Sequence, residues 1–369
     1  MDSSERKYRT LDGLRGVASL IIVIRHIPYF MTNQGMMSTH LCVDLFFILS
    51  GFVLASAYEE KFRSGMPILR FAIIRVVRLY PLFLFGTILG IPVAVLSLLF
   101  GGGGLSVAWT KGLFVESIPY SLLMLPTPPS EKVDLIYPFN PVLWSIFYEV
   151  VVNIIYRALW PLLKKDRYVV MLSSFALVFL VWAYVTGNVS KNYMDVGYSW
   201  GGMAFGSARV LFSFFLGVLI FRRTIGLRRI TTNLSILCVV AVPMIFYFVD
   251  TAELELITVV ILFPFLVFIS SRCDPGEILV PFFNKLGVTS YAVYAIHKPL
   301  YQIILGVMIF CDPKLPGRLS PFVGFAYILF LFEICVVVDR YYDLPARRWL
   351  ARRLRLHVLQ PVGVPAEGA

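Results

Sequence analysis

Charge is scarce in this chain: only 15% of its 369 residues are Asp, Glu, Lys or Arg, against about 25% in soluble domains. Set beside 58% hydrophobic residues, that scarcity excludes an ordinary soluble fold. Apolar stretches of about 18 or more residues recur from Leu14 to Val338, and no polar block is long enough to bury a core of its own. Metal-ligand chemistry is thin as well. Cys42, Cys238, Cys273, Cys311 and Cys335 form no CxxC and meet only four histidines, so no zinc or other metal site is expected. Most of these cysteines read as small apolar packers. Cys42 and Cys311 both fall near the expected outer surface, where spacing alone does not decide whether they pair. A cleavage site is also missing. Glu5, Arg6, Lys7 and Arg9 precede an apolar run that contains Arg25 and His26, which reads as a retained first helix, not a signal peptide. Internal repeats are absent, which weakens a transporter built from inverted halves.

The net charge of +11 does not point to nucleic acid. The basic residues gather at the ends of apolar runs, as in Arg222-Arg223, Arg228-Arg229 and Arg347-Arg348, a pattern explained by membrane topology and anionic lipid. Eleven apolar segments are candidate spans: 11–33, 40–58, 79–100, 107–125, 141–163, 168–186, 204–221, 231–250, 253–271, 286–310 and 320–338. If all cross, the loops Lys164 to Arg167 and Arg222 to Arg229 fall outside, against the positive-inside rule. Segment 107–125 carries Lys111 and Glu116 and is bounded by Gly101 to Gly104 and by Pro126, Pro128 and Pro129, so it is expected to be re-entrant or interfacial. Ten spans remain, an all-α polytopic membrane protein with both termini cytoplasmic. A single membrane domain is expected over residues 1–350, followed by a basic cytoplasmic tail over 351–369 whose end, from Gln360, frays.

Intramembrane polar residues form stripes. Asp12, Arg15, Ser19 and His26 follow one face of the first helix, with Arg15 and His26 about 16 Å apart along the axis. Ser145, Glu149 and Asn153 repeat at i, i+4, i+8, and Ser290, Tyr294, His297 and Tyr301 at i, i+4, i+7, i+11. Asp44 lies near the outer end of the second helix. Such faces turned together would enclose a polar cavity. A lone membrane serine or tyrosine is more often a packing hydrogen bonder. His26 and Glu149 are harder to dismiss, since intramembrane ionisable groups are functional by default. His297 could equally orient a loop or pair with Lys298. Arg25 points about 100° away from His26, and its simplest role is to pair with a carboxylate on a neighbouring helix. Arg70, Arg75 and Arg78 are open to two readings: a positive-inside flank, or a set of guanidinium forks for the phosphates of a cytosolic donor.

These motifs together resemble the bacterial membrane acyltransferase-3 family of O-antigen, exopolysaccharide and Nod-factor acetyltransferases, over most of the length from Tyr8 to about Trp349. Leu11-Asp12-Gly13-Leu14-Arg15-Gly16-Val17-Ala18 followed by His26 is similar to the family's basic-residue, ten-spacer, histidine signature. Val43-Asp44-Leu45-Phe46-Phe47-Ile48-Leu49-Ser50-Gly51-Phe52 resembles its second-helix motif, and Arg75-Val76-Val77-Arg78-Leu79-Tyr80-Pro81 its RxxR motif. Leu143-Trp144-Ser145 with Glu149 resembles the LWS…E motif, and Ser290-Tyr291 through His297-Lys298-Pro299-Leu300 the late histidine-proline motif. Two departures are visible: Glu149 is followed by Val150 where the family often has a second acid, and Arg25 precedes the histidine. No hydrolase-like extension follows the last helix, so the stand-alone form is expected.

The resemblance implies transfer of an acyl group, acetyl in the first instance, from cytosolic acyl-CoA to a carbohydrate hydroxyl at a bacterial inner membrane. Arg75 and Arg78 would hold the nucleotide phosphates, with Arg15 contacting the donor or the oxyanion. His26 would be the general base, oriented by Glu149 or Asp44, and an acyl-His intermediate is the competing route. His297, Tyr294 and Ser145 are the candidates for contact with the acceptor. The expected partners are acyl-CoA, a lipid-linked or exported glycan and membrane lipid. The alternative is a proton-coupled transporter in which His26, Glu149 and His297 form a relay.

Overall fold

In lipid every backbone polar group must be satisfied within the chain, so long apolar runs fold as helices. The computed structural model describes residues 8–31, 38–100, 107–131, 133–186 and 194–356. In chain order it contains α1 (Arg9–His26), α2 (Cys42–Arg63), α3 (Ile68–Phe100), α4 (Lys111–Leu122), α5 (Trp144–Ala158), α6 (Trp160–Leu163), α7 (Asp166–Val185), α8 (Met203–Thr224), α9 (Leu234–Phe248), α10 (Ala252–Ile257), α11 (Phe263–Ser270), α12 (Val280–Cys311), α13 (Leu315–Leu319), α14 (Phe322–Val338) and α15 (Leu344–Arg353). The π-helical turns Thr258–Leu262 and Asp339–Asp343 join α10 to α11 and α14 to α15. Among the described residues, sheet is limited to a two-residue parallel pair, Ile230–Thr231 with Cys273–Asp274.

Among the described residues, seven helices are long and apolar enough to cross a membrane: Thr39–Arg63, Ile68–Leu99, Asp166–Val185, Met203–Thr224, Ala252–Ser270, Glu277–Cys311 and Phe322–Arg353. The other three expected spans coincide with α1, which carries Arg9, Asp12, Arg15 and Arg25, and with α5 and α9, each of 15 residues. Segment 107–125 holds only the 12-residue α4, about 18 Å long and too short for a hydrocarbon core of about 30 Å. The glycines at 101–104 and the tail from Gln360 lie outside the described residues.

Two helices run beyond the apolar segments that marked them. α3 begins at Ile68, eleven residues ahead of segment 79–100, so Arg75 sits inside a helix and is buried. A carboxylate on α5 compensates its charge, which a helix-end reading of charge does not anticipate. Likewise the last expected span, 320–338, continues through the π turn into α15. All five cysteines are free; Cys42 is buried and Cys311 exposed.

Close backbone approach sets the packing at the centre. A Cβ added at Gly51 would lie 1.9 Å from the Phe214 carbonyl oxygen, and one at Gly217 2.0 Å from that of Ile48, so α2 and α8 touch backbone to backbone. Gly16 packs as closely against Leu286 on α12, and Gly287 against the Asp12 side chain on α1. Small residues permit this contact where apolar burial between helices supplies little drive. α1 therefore lies in the middle of the bundle, running parallel to α12, while exposed side chains such as Phe175, Val178, Leu329 and Phe330 form a lipid-facing coat.

Candidate active site

The polar stripes of α1, α12 and α5 meet in direct contact. At the end where α1 begins, Arg15 donates from Nε to Ser290 Oγ at 3.0 Å and from Nη2 to Asp12 Oδ1 at 2.8 Å and the Gly287 carbonyl at 3.1 Å. Its charge and three of its donors are thereby committed to joining α1 and α12. Ser145 on α5 donates to the Tyr294 hydroxyl at 2.7 Å, which donates in turn to the Val142 carbonyl at 2.9 Å. Both are thus helix-joining contacts in this structure.

Toward the far end of α1 the two intramembrane histidines meet, with His26 Nδ1 and His297 Nε2 2.9 Å apart. Protonation follows from the other partners. His297 Nδ1 lies 3.0 Å from the Val293 carbonyl oxygen, which only accepts, so that nitrogen carries the proton. In the neutral ring Nε2 then holds the lone pair and accepts from His26 Nδ1–H. In that tautomer the lone pair of His26 lies on Nε2. His297 is fully buried, whereas His26 is half-buried, so the reachable nitrogen belongs to His26. The support is itself held: the Tyr327 hydroxyl donates to the His297 carbonyl. Pro299, lacking an N–H, frees the Ala295 carbonyl, and Asn140 Nδ2 takes it at 2.8 Å.

Neither carboxylate expected to orient His26 is used that way. Glu149 Oε1 accepts from Arg75 Nη2 at 2.9 Å and from Ser50 at 3.0 Å. Asp44 is fully buried against Arg209, whose Nη2 donates to Oδ2 at 2.6 Å and Nε to Oδ1 at 3.3 Å; Ser213 adds a bond at 3.4 Å. Sequence reading missed Arg209, although the signal was present as the one charge inside the apolar segment 204–221. It also missed His40, whose Nε2 sits 3.1 Å from Glu255. Arg222, read as a flank, instead bonds Glu59 at 2.7 Å and Asp166 at 2.9 Å from a largely buried position. Arg25 does pair with a carboxylate, but that of Asp195 in the loop before α8, not on a helix.

At the opposite end Arg75 and Arg78 stand one turn apart on α3. Arg78 is exposed and Arg75 buried, and Arg75 Nε has no hydrogen-bond partner among the described residues. Arg347 of α15 comes within electrostatic reach of Arg78 and is held by Asp343. A buried donor without an acceptor is costly; Arg78 is the guanidinium of this pair that faces outward.

A profile described as an acyltransferase domain matches residues 8–340, nearly the whole chain. The chain belongs to the acyltransferase-3 family. A curated protein of Rhizobium radiobacter, described as protein 2 in picA locus, is 34% identical over 193 residues, covering 48% of this chain and 96% of that protein. No solved structure matches. With its apolar helices, this acyltransferase-3 member is an integral membrane acyltransferase.

Proposed function

We propose that the protein transfers an acyl group, acetyl in the first instance, from cytosolic acyl-CoA to a hydroxyl of a cell-envelope or exported carbohydrate, from the bacterial inner membrane. One observation carries the reading: among the described residues of this membrane acyltransferase, half-buried His26 is held at Nδ1 by the fully buried His297, which leaves the lone pair of its Nε2 to act as the base. A hydroxyl is a poor nucleophile until its proton is taken, and a neutral imidazole is suited to take it near pH 7. His297 then acts by positioning the base, in place of the acceptor contact expected from sequence.

Ten spans with both termini cytoplasmic would put the Arg75–Arg78 end on the donor side, as the positive-inside rule prefers. The exposed Arg78 and the orphaned Nε of Arg75 support a role in holding donor phosphates. Arg15 is about 16 Å from His26 along α1 and serves as a brace between helices. The acceptor would reach His26 from the far side, and the thioester would pass between the two ends.

The test is transfer of radiolabelled acetyl from acetyl-CoA to envelope glycan in membranes containing wild type or His26→Ala at matched expression. Labelling that disappears in the variant is the expected result. A fully active His26→Ala protein would remove the base, and no CoA-dependent labelling with acetyl, succinyl or longer donors would remove acyl transfer to this acceptor class.

A further inference from the structure

A base alone does not carry an acyl transfer. When the acceptor oxygen adds to the thioester carbonyl, the π electron pair moves onto the carbonyl oxygen, and that oxyanion needs a positive charge nearby. The expected source, Arg15, is braced against Asp12, Ser290 and Gly287 and lies about three turns from His26. Among the described residues, the cations that act on the histidine pair and on Tyr294 beside it are Arg25, Lys298 and Arg209. Arg25 is paired with Asp195 and Arg209 with Asp44.

Lys298 differs from both. It follows His297 directly on α12 and is half-buried. Its ammonium acts electrostatically on both His26 and His297. Asp195 is within reach of it, but that carboxylate already holds Arg25. Lys298 makes no hydrogen bond or ion pair of its own among the described residues. An unpaired ammonium beside an intramembrane base calls for an anion to face.

We propose that Lys298 supplies the positive charge that stabilises the oxyanion formed during acyl transfer at His26. The inference rests on the acyl-transfer reading given above. The hydroxyl proton passes to His26 Nε2 as the new C–O bond forms and the carbonyl pair moves to oxygen, beside the Lys298 ammonium. Collapse re-forms the C=O bond and breaks the C–S bond. The sulfur leaves with the electron pair and takes the proton back from His26, giving ester and free CoA thiol.

The experiment is turnover of acetyl-CoA with saturating acceptor for wild type, Lys298→Met and Lys298→Arg, with apparent unfolding temperatures measured alongside. Lys298→Met is expected to lose about 10²–10³-fold in kcat with an unchanged donor KM, and Lys298→Arg to recover much of it. A folded Lys298→Met protein with wild-type kcat, or one altered only in KM, overturns the inference. Should Lys298→Met fold poorly, Lys298→Cys alkylated with 2-bromoethylamine restores the ammonium. Recovered kcat supports the assignment, and none in folded, alkylated protein overturns it. His26→Ala run in parallel separates the two readings. If that variant is dead while Lys298→Met is fully active, only the role of Lys298 fails; if it is active, the base assignment fails.

Discussion

Replacing Asp44 by Asn separates a structural carboxylate from a catalytic one. Asp44 and Arg209 have side-chain exposures of 0% and 1%, so the substitution leaves a guanidinium buried without its counterion. Removing one partner of a buried pair costs about 3–5 kcal/mol. The Val196 carbonyl at 2.7 Å and the His40 carbonyl at 3.5 Å keep some of the Arg209 donors satisfied, which puts the loss at the lower end, about 3 kcal/mol. Against a typical stability of about 5–15 kcal/mol, that is a large share. The assay is the apparent unfolding temperature of detergent-solubilised protein by size-exclusion at one heating protocol, since such unfolding is often irreversible, with acyl transfer measured per folded molecule. Asp44→Asn is expected to unfold at lower temperature while its folded fraction stays active. The double variant Asp44→Leu/Arg209→Met is expected to regain much of the stability, because it removes the charge as well as its partner. An Asp44→Asn protein that unfolds like wild type yet has lost turnover would refute the structural assignment.

Two further outcomes follow from the packing and the donor end. Gly217→Ala places a Cβ 2.0 Å from the Ile48 carbonyl oxygen, a backbone atom that cannot swing aside, so α2 and α8 must part. A loss of about 1–3 kcal/mol, read as a lower unfolding temperature, is expected, and an unchanged temperature would contradict so close a contact. Arg78→Gln removes the exposed charge proposed to meet donor phosphates. The loss of a charged hydrogen bond, about 1.5–3 kcal/mol, is expected as a higher KM for acetyl-CoA at similar kcat. An unchanged KM would place the donor elsewhere.

The sequence by itself determined the class of protein and most of its helices, because apolar runs of membrane length admit few alternatives in lipid. The excluded segment 107–125 was legible for the same reason, since Lys111, Glu116 and the flanking prolines interrupt it. So was the existence of the polar faces: residues at helical spacing on α1, α5 and α12 fall on one side of each helix whatever the packing. The family could be read from the order of the motifs along the chain.

Only the tertiary structure decided which polar residue meets which. Spacing within a helix fixes a direction but not the helix that fills it. Glu149 and Asp44 were therefore equal candidates for His26 until Arg75 and Arg209 were found to occupy them, and His297 to stand behind the base. Likewise Arg222 and Arg347 read as flanking charge, because a sequence shows that a residue lies near a helix end and not that a carboxylate from elsewhere waits there. Local composition sets what a membrane helix exposes to lipid; charges buried between helices are compensated by residues far along the chain, as with Arg75 and Glu149, 74 positions apart, and Arg209 and Asp44, 165 apart, and that compensation exists only once the chain is folded.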